Sequence, residues 1–284
     1  MLTIVASMEH EVAGLRRGLN ALSAQAPGPL PPVDVQVIGI GKKESQKRVM
    51  ALLERRRPSR INSMAGDRGP DGLLLVGFAG AVDTRLPTGA LCLSTRYYRA
   101  AQAEEISPIS GAGDASGGQP DFTGDFIEPD QRMWQQSVDA ACEAGVRVSH
   151  LDSLTVDCLV SGAQEKASLG QSYPVGLVNM EDYWVAAAAA EAGVPFLSAR
   201  VILDTSNQTL PAYLAGLAGS PLRPTLTAVF MPWRIPALIQ LGLQFHLARA
   251  VLTRFALSYI QYIRGLPESV GSTPGPAATS VGVN

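Results

Sequence analysis

The stretch Leu73–Gly80, with the sequence LLLVGFAG, decides the fold class of this chain. Four consecutive apolar residues without polar alternation are typical of a strand that is covered on both faces of a sheet. We predict such a strand over Leu73–Val76, ending at the small residues of Gly77–Gly80. Small residues after a buried strand let the backbone pass close to a ligand, and a plain tight turn has the same composition.

Similar short apolar runs alternate with helical patterns on both sides of this stretch. The other predicted strands are Leu2–Ala6, Val33–Ile38, Gly89–Thr95, Arg147–Asp152, Thr155–Ser161, Val175–Met180 and Phe196–Leu203. Helical patterns run from Met8 to Leu22 and over Lys43–Arg57, Asp130–Ala144, Ala163–Leu169 and Asp182–Ala192. This alternation predicts an α/β protein with a mostly parallel or mixed central sheet flanked by helices.

Changes in composition divide the chain into three parts. Residues 1–220 form the predicted α/β domain, in which the glycine-containing residues 101–131 are a loop insertion. Residues 221–264 are apolar and basic, with a helical pattern over Arg223–Arg264 that breaks at Pro232 and Pro236. Residues 265–284 are rich in Gly, Pro, Ser and Thr, which is typical of a disordered tail.

The overall composition excludes several classes of protein. Of the 284 residues, 46% are hydrophobic and 17% are charged, so the chain can bury a core. The formal net charge of −2 argues against a nucleic-acid partner. Three scattered cysteines form no metal-ligand or disulfide pattern, which indicates a reducing compartment and no metal site. The chain shows neither a signal-peptide pattern nor an apolar run of about 18 residues, and we expect a cytoplasmic protein.

Candidate chemistry follows the ends of three further predicted strands, where ligands bind in sheets of this kind. Glu11 lies just after the first strand and could position a water, although a helix N-terminus also favours an acid there. Glu181 follows the strand ending at Met180 and could accept hydrogen bonds from two vicinal hydroxyls, or simply occupy the first turn of the next helix. Asp204 follows an apolar strand, where burial would raise its pKa and suit a general acid, or where an Asx-turn would form.

Together and in this order, these segments resemble the nucleoside phosphorylase/nucleosidase superfamily, particularly methylthioadenosine/S-adenosylhomocysteine nucleosidase. The resemblance is carried by ASMEHEV at 6–12, GIGK at 39–42, VGFAG at 76–80, NME at 179–181, and the segment Val194–Asp204. The stretch Arg200–Leu217 with Pro236–Leu238 resembles a narrower, hopanoid-associated branch, whose members remove adenine from adenosylhopane. The resemblance implies a homodimer that needs neither a metal nor an organic cofactor and binds a small nucleoside.

The resemblance also implies a role for each matching residue. Glu11 would hold the attacking water, and Asp204 would protonate the departing purine. Glu181 would bind the ribose hydroxyls while Met180 packs against the sugar. Met8, Phe78, Ala79 and Gly80 complete the expected substrate-binding residues.

The choice between water and phosphate as nucleophile depends on anion-binding groups. Phosphorolysis needs arginine forks with hydroxyl or backbone donors, and Phe78 stands where a phosphate-binding hydroxyl would be. Lys42, Lys43 and Arg96 are the remaining cationic candidates, and each could equally be a solvated charge. The sequence therefore favours hydrolysis, with a phosphate-using phosphorylase and a catalytically silent nucleoside-binding protein as the alternatives.

The C-terminal region differs from the rest of the chain in charge. Residues 205–267 contain five arginines and no acid, so they carry +5 and the remainder carries −2 − 5 = −7. Apolar residues recur at helical spacing from Leu238 to Ile263, which predicts packing on the domain or across a dimer. The alternative is peripheral contact of residues 223–264 with the inner face of a membrane, which would suit a lipid-linked substrate.

Overall fold

The computed structural model describes residues 1–25, 32–55, 70–100, 125–210 and 235–265, with side chains of the last range described from Ile239 onward. The predicted tail from residue 266, residues 101–124 of the insertion and residues 211–234 lie outside the described residues.

Eight strands and six helices alternate along the described residues, as predicted for an α/β protein. The strands are β1 (Leu2–Ala6), β2 (Val33–Val37), β3 (Gly72–Ala81), β4 (Leu91–Arg99), β5 (Phe126–Ile127), β6 (Val148–Thr155), β7 (Leu177–Asn179) and β8 (Phe196–Asp204). The helices are α1 (Glu9–Gln25), α2 (Gly41–Glu54), α3 (Gln131–Glu143), α4 (Ala163–Ser172), α5 (Asp182–Glu191) and α6 (Ile235–Gly265).

All eight strands belong to one mixed sheet. Strands β3, β8, β4, β6 and β7 pair in a closed ring, β1 and β2 extend it beyond β3, and β5 pairs with β4. The pairs β1–β2, β1–β3, β3–β8, β4–β6 and β6–β7 are parallel, whereas β3–β7, β4–β5 and β4–β8 are antiparallel. The predicted fold class, a mostly parallel or mixed sheet flanked by helices, is confirmed.

The strand that decided the fold is longer than predicted. It does not end at Val76, because β3 continues through the glycine-containing segment to Ala81. Its pairing with β8 extends from Leu73 to Gly80, and its last two residues pair with β7. Pairing with β8 along the segment, and with β7 at its end, thus overrides the turn preference of the two glycines.

One other predicted boundary is wrong. The two strands predicted over Arg147–Asp152 and Thr155–Ser161 form the single strand β6, which ends at Thr155. The break expected at Pro236 stays a prediction, because the described part of α6 begins at Ile235, with Pro236 in its first turn, and the residues before it lie outside the described ranges. A missing backbone N–H costs little there, since the first turn has no carbonyl to receive it.

Helix α6 packs on the α/β domain along one face. Ala248, Leu252, Phe255 and Tyr259 are buried in the same core cluster as residues of β1 and β8. Its hydroxyl groups also reach α3, since Ser258 donates to the carbonyl of Ala140 at 2.8 Å. From residue 245 onward, the apolar stripe is therefore core. No helix in the described ranges is long and apolar enough to cross a bilayer.

Candidate active site

A cavity of about 390 Å³ lies where β3, β7 and β8 end, and every site residue expected from the sequence lines it. Those residues are Met8, Glu11, Phe78, Ala79, Gly80, Met180, Glu181 and Asp204. Its other wall residues include Ser7, Ile40, Asp157, Cys158, Leu159, Asn179, Arg200, Leu203 and Leu210. Side chains from seven parts of the chain thus meet in one space that is mainly apolar.

The cavity opens where β3 changes neighbours. Strand β1 pairs with β3 only as far as Leu75, and β7 joins the same edge only at Gly80. Between these points no strand of the described residues pairs with this edge of β3, so the backbone of Phe78 is available to side chains. Its N–H donates to Glu11 Oε1 at 3.0 Å, and its carbonyl accepts from Arg200 Nη1 at 3.2 Å.

Glu11 serves both as a helix cap and as a cavity residue. Its Oε2 accepts from the backbone N–H of Met8 at 2.8 Å, which satisfies a donor at the start of α1. Burial raises the pKa of Glu11 to about 7, and the Glu181 carboxylate adds to that rise, while Arg200 and the two backbone N–H groups oppose it. A carboxyl with this pKa can exchange a proton near neutral pH. The neighbouring Glu9 instead forms an exposed ion pair with Arg16.

Arg200 is the central cation of the cavity, and sequence reasoning gave it no role. Its side chain is only 1% exposed and contacts the carboxylates of Asp182 and Glu181 at 2.7 and 3.2 Å. Burial opposes its charge, but Asp182, Glu181 and Glu11 outweigh burial and raise its pKa above the usual value. An arginine inside an apolar strand was the available signal, because a buried charge needs partners.

Asp182, which is not a lining residue of the cavity, binds Arg200 and holds it in place. Its Oδ1 accepts from Arg200 Nε and Ser198 Oγ, at 2.8 and 2.7 Å. Its Oδ2 accepts from Asn179 Nδ2 and Ser153 Oγ, at 2.7 and 3.0 Å. A fully buried carboxylate with four donors is rigidly held, so the Arg200 guanidinium has one orientation.

Glu181 is directed to the cavity because other groups cap α5. The Asn179 side-chain carbonyl accepts from the N–H groups of Glu181 and Asp182, at 3.0 and 2.8 Å. The Glu181 carboxylate accepts from the backbone N–H of Gly41 at 3.0 Å and from Arg200. Gly41 has φ +77°, a backbone conformation that favours glycine, so the GIGK segment holds Glu181 from across the cavity.

Position 77 has room only for glycine, because neighbouring side chains occupy the space of a Cβ. A Cβ at this position would lie 2.5 Å from Arg200 Nη1 and 2.9 Å from Glu11 Oε1. Both distances are below van der Waals contact, and both atoms belong to the side chains that line the cavity. The glycine therefore allows Arg200 and Glu11 to approach the β3 backbone.

Asp204 lies at the other end of the cavity, paired with a lysine that sequence reasoning missed. Lys166 Nζ, on α4, forms an ion pair with Asp204 Oδ2, and both side chains are buried. Burial raises the pKa of Asp204, and the Lys166 ammonium opposes that rise. In the sequence AQEKAS, Lys166 looks like an ordinary solvated helix charge, so no local pattern identifies it.

Three aromatic residues near the site differ in whether they line the cavity. Phe78 lines the cavity and meets Phe245 of α6 edge to face, with ring centroids 4.9 Å apart. Trp184 lies under Lys42, whose Nζ is 4.1 Å from its ring centroid, and Phe196 packs on Tyr97 in the core. Neither ring lines the cavity.

The cationic alternatives for an anion site also lie elsewhere. Lys42 and Lys43 are on α2, and Arg96 pairs with Glu128 at 3.8 Å. None of the three lines the cavity, and no group of three or more His, Cys, Asp or Glu side chains in the described ranges could hold a metal ion. Ser7 Oγ is buried at the cavity wall and has no hydrogen-bond partner within the described part of the chain.

Several solved structures share this fold at low sequence identity. Futalosine hydrolase of Helicobacter pylori superposes with a TM-score of 0.60 and 14% identity over 92% of this chain and 97% of that chain. The 5'-methylthioadenosine/S-adenosylhomocysteine nucleosidase of the same organism, bound to butyl-thio-DADMe-Immucillin-A, gives 0.59 and 16% over 90% and 97%. A putative nucleosidase of that kind from Francisella philomiragia gives 0.60 and 17% over 93% and 99%.

Sequence comparison identifies the family. No curated protein gives a significant match to the chain. The family model described as the phosphorylase superfamily matches residues 28–213, about two thirds of the chain, including Phe78, Glu181, Arg200 and Asp204. On this match, and with the fold described above, the chain belongs to the phosphorylase superfamily.

Proposed function

We propose that this protein hydrolyses the N-glycosidic bond of a purine nucleoside. The observation that carries the proposal is the convergence of Glu11, Glu181 and Asp204 on one cavity of about 390 Å³. Breaking this bond develops positive charge on the ribose and negative charge on the base. Three carboxyl groups with different partners can meet these needs separately.

Family membership supports an enzyme of the nucleosidase or phosphorylase type. The structural neighbours that share the fold are named as a futalosine hydrolase and as nucleosidases for methylthioadenosine and S-adenosylhomocysteine. The family alone does not choose between water and phosphate, so the choice depends on the side chains of this chain.

In the proposed mechanism, Glu11 binds the attacking water and removes its proton. Its carboxyl group has the pKa of about 7 that suits a base near neutral pH. Glu181, fixed by Gly41 and Arg200, accepts hydrogen bonds from the ribose hydroxyls, and Met180 packs against the sugar. The surrounding carboxylates stabilise the developing ribose cation.

Asp204 acts as the general acid for the departing base. Its raised pKa favours a protonated carboxyl that can donate to a purine ring nitrogen as the C–N bond breaks. Phe78 offers an aromatic ring to the same cavity, and Met8, Ala79 and Gly80 line its wall. We propose adenine as the base on the resemblance to methylthioadenosine nucleosidases.

The existing contacts of Arg200 favour water over phosphate as the nucleophile. Its Nε and Nη2 atoms contact Asp182 and Glu181, and its Nη1 donates to the carbonyl of Phe78. An incoming phosphate dianion would have to displace a carboxylate from this guanidinium. It would also approach Glu11, so charge repulsion opposes phosphorolysis.

The direct test is base release by the purified chain from adenosine and 5'-substituted adenosines in phosphate-free buffer. We expect free adenine without phosphate, and no increase when inorganic phosphate is added. Release only in the presence of phosphate would support the phosphorylase alternative. Nucleoside binding without release would support a catalytically silent binding protein.

The hopanoid resemblance suggests adenosylhopane as the substrate, a homodimer and contact with a membrane surface. Ile239, Leu243 and Leu247 give α6 an exposed apolar stripe, with Leu243 68% exposed, in the part of the chain that lacks acids. Such a stripe with nearby arginines suits an anionic lipid surface. Co-sedimentation with vesicles containing anionic lipid tests this, and Leu243→Ser should weaken it.

A further inference from the structure

Lys166 is the fully buried lysine of the cavity region, with a side-chain exposure of 0%. Lysine is almost never fully buried unless it is paired. Its Nζ donates to Asp204 Oδ2 and to the carbonyls of Thr205 and Gln208, both at 2.9 Å. Three acceptors use all three ammonium protons, so the group is held as a cation.

The position of Lys166 also fixes how the Asp204 carboxyl group is held. Its Oδ2 accepts from the ammonium. The segment after β8 curls around Nζ, with the Gln208 N–H donating to the Thr205 carbonyl at 3.1 Å. The ammonium therefore orients the carboxyl group of Asp204 and also lies next to its negative charge.

We propose, resting on the hydrolysis proposed above, that Lys166 is a positioning residue that stabilises the carboxylate left on Asp204 after proton donation. When the C–N bond breaks, its electron pair goes to the base, and the Asp204 proton moves to a purine ring nitrogen. Water forms the new bond to the ribose carbon and gives its proton to Glu11. Lys166 keeps all its protons and supplies only the field that makes Asp204 a stronger acid.

Several charged or titratable groups lie near Asp204, and Lys166 is the one that forms an ion pair with it. Burial raises the Asp204 pKa, and among the described residues Lys166 is the one charged side chain that lowers it. The same cavity is lined by Glu11 of α1, Asp157 and Cys158 after β6, Glu181 before α5, and Arg200 of β8. Arg200 is engaged by Asp182, Glu181 and Phe78, as described above.

Removing the ammonium should make Asp204 hold its proton too strongly. For Lys166→Met in the full chain, we expect kcat for a purine nucleoside to fall about 10- to 100-fold, the range for losing a hydrogen bond to a charged group. The alkaline limb of the pH profile should move to higher pH, because the Asp204 pKa rises. KM should change less than kcat.

A substrate that needs no acid separates this role from a structural one. The nitrophenolate of p-nitrophenyl riboside leaves without protonation, so Lys166→Met should hydrolyse it at nearly the wild-type rate. Lys166→Gln, which can still donate to a carbonyl, should show the same selectivity if the Met variant does not fold. Lys47→Met, on the exposed face of α2, is the matched control and should leave both rates unchanged.

The outcomes distinguish this inference from the proposed function. Equal losses on both substrates, with an unmoved alkaline limb, would overturn the role of Lys166 and leave hydrolysis standing. Failure of the wild-type chain to release a base from any purine nucleoside would overturn the proposed function and this inference with it. In the Asp204→Asn background, Lys166→Met should cost no further activity, and a further loss would show that Lys166 acts elsewhere.

Discussion

The two ends of the cavity balance charge differently. At the Glu11 end, which comprises Glu11, Glu181, Asp182 and Arg200, three carboxyl groups surround one guanidinium. At the Asp204 end, which comprises Asp204 and Lys166, one carboxyl group faces one ammonium. With all groups ionised, the first end has an excess of negative charge and the second is neutral.

This difference matches the two halves of glycosidic cleavage. An excess of negative charge stabilises a ribose that becomes cationic. At the same end, burial, with a smaller contribution from the Glu181 carboxylate, raises the pKa of Glu11 toward that of a base. A carboxyl group beside a cation instead suits proton donation, because the anion it leaves is stabilised. Two acids in one cavity can therefore take opposite roles because their surroundings differ.

The largest expected effect on activity is at Glu11. For Glu11→Gln, we expect kcat to fall about 10²–10⁴-fold, because an amide cannot remove a proton from water. The loss should be similar for purine nucleosides and for p-nitrophenyl riboside, since both need the attacking water. Steady-state kinetics on both substrates measure it, and loss confined to the purine substrate would contradict the role of Glu11.

Asp204→Asn should remove the acid at the Asp204 end and should slow the reaction only for substrates that need an acid. We expect a loss within the same range of about 10²–10⁴-fold for purine nucleosides. Hydrolysis of p-nitrophenyl riboside should be nearly unaffected, since its leaving group needs no proton. Unchanged purine turnover would eliminate Asp204 as the acid.

The pH dependence sharpens the contrast between the two ends. Glu11 must be ionised to act as a base, so kcat/KM should fall about tenfold per pH unit below its pKa of about 7. This acidic limb should be absent from the residual activity of Glu11→Gln. An acidic limb retained in that variant would assign the titration to another group.

The same pKa has a consequence for stability. The folded chain keeps the Glu11 proton between pH 4.5 and about 7, where the unfolded chain has lost it. The Glu11 contribution to the free energy of unfolding therefore falls as pH rises through this window, by about 3 kcal/mol in total. Denaturant unfolding of wild type and Glu11→Gln at pH 5 and pH 8 should show the difference, and parallel pH dependences would contradict it.

The smallest expected effect concerns the packing between β3 and the charged side chains. Gly77→Ala introduces a methyl group 2.5 Å from Arg200 Nη1, so we expect a loss of about 1–3 kcal/mol in the free energy of unfolding. Gly242→Ala is the matched control, since an added Cβ on that exposed turn of α6 meets nothing within 4 Å. Alanine should be neutral or stabilising there by up to about 1 kcal/mol. Equal effects at both positions would contradict the close approach at Gly77.

The two ends also differ in how far the sequence predicts them. Glu11, Glu181 and Asp204 each follow a short apolar strand, so the strand-end rule for α/β sheets identifies all three. Lys166 follows no strand, and its buried ammonium is bound by Asp204 at the end of β8 and by the carbonyls of Thr205 and Gln208 just after it. Local patterns cannot report such a contact, because the two residues are 38 positions apart.

The glycine-containing end of β3 shows the same limit in the backbone. The composition of Gly77–Gly80 is typical of a turn, but β8 on one side and β7 at the end supply partners that keep it extended. The segment nevertheless contacts the cavity, as its small residues predicted. Arg200 was visible as a charge in an apolar strand, but its carboxylate partners come from another strand end.

The most direct test of the account is the fate of labelled water. The purified chain should be incubated with a 5'-substituted adenosine in phosphate-free H₂¹⁸O, and both products analysed by mass spectrometry at early times. We expect one ¹⁸O atom in the sugar product and none in the released adenine, with both products formed about 10²–10⁴-fold more slowly by the Glu11→Gln variant. Base release that needs added phosphate and leaves a phosphorylated, unlabelled sugar would contradict hydrolysis at this cavity.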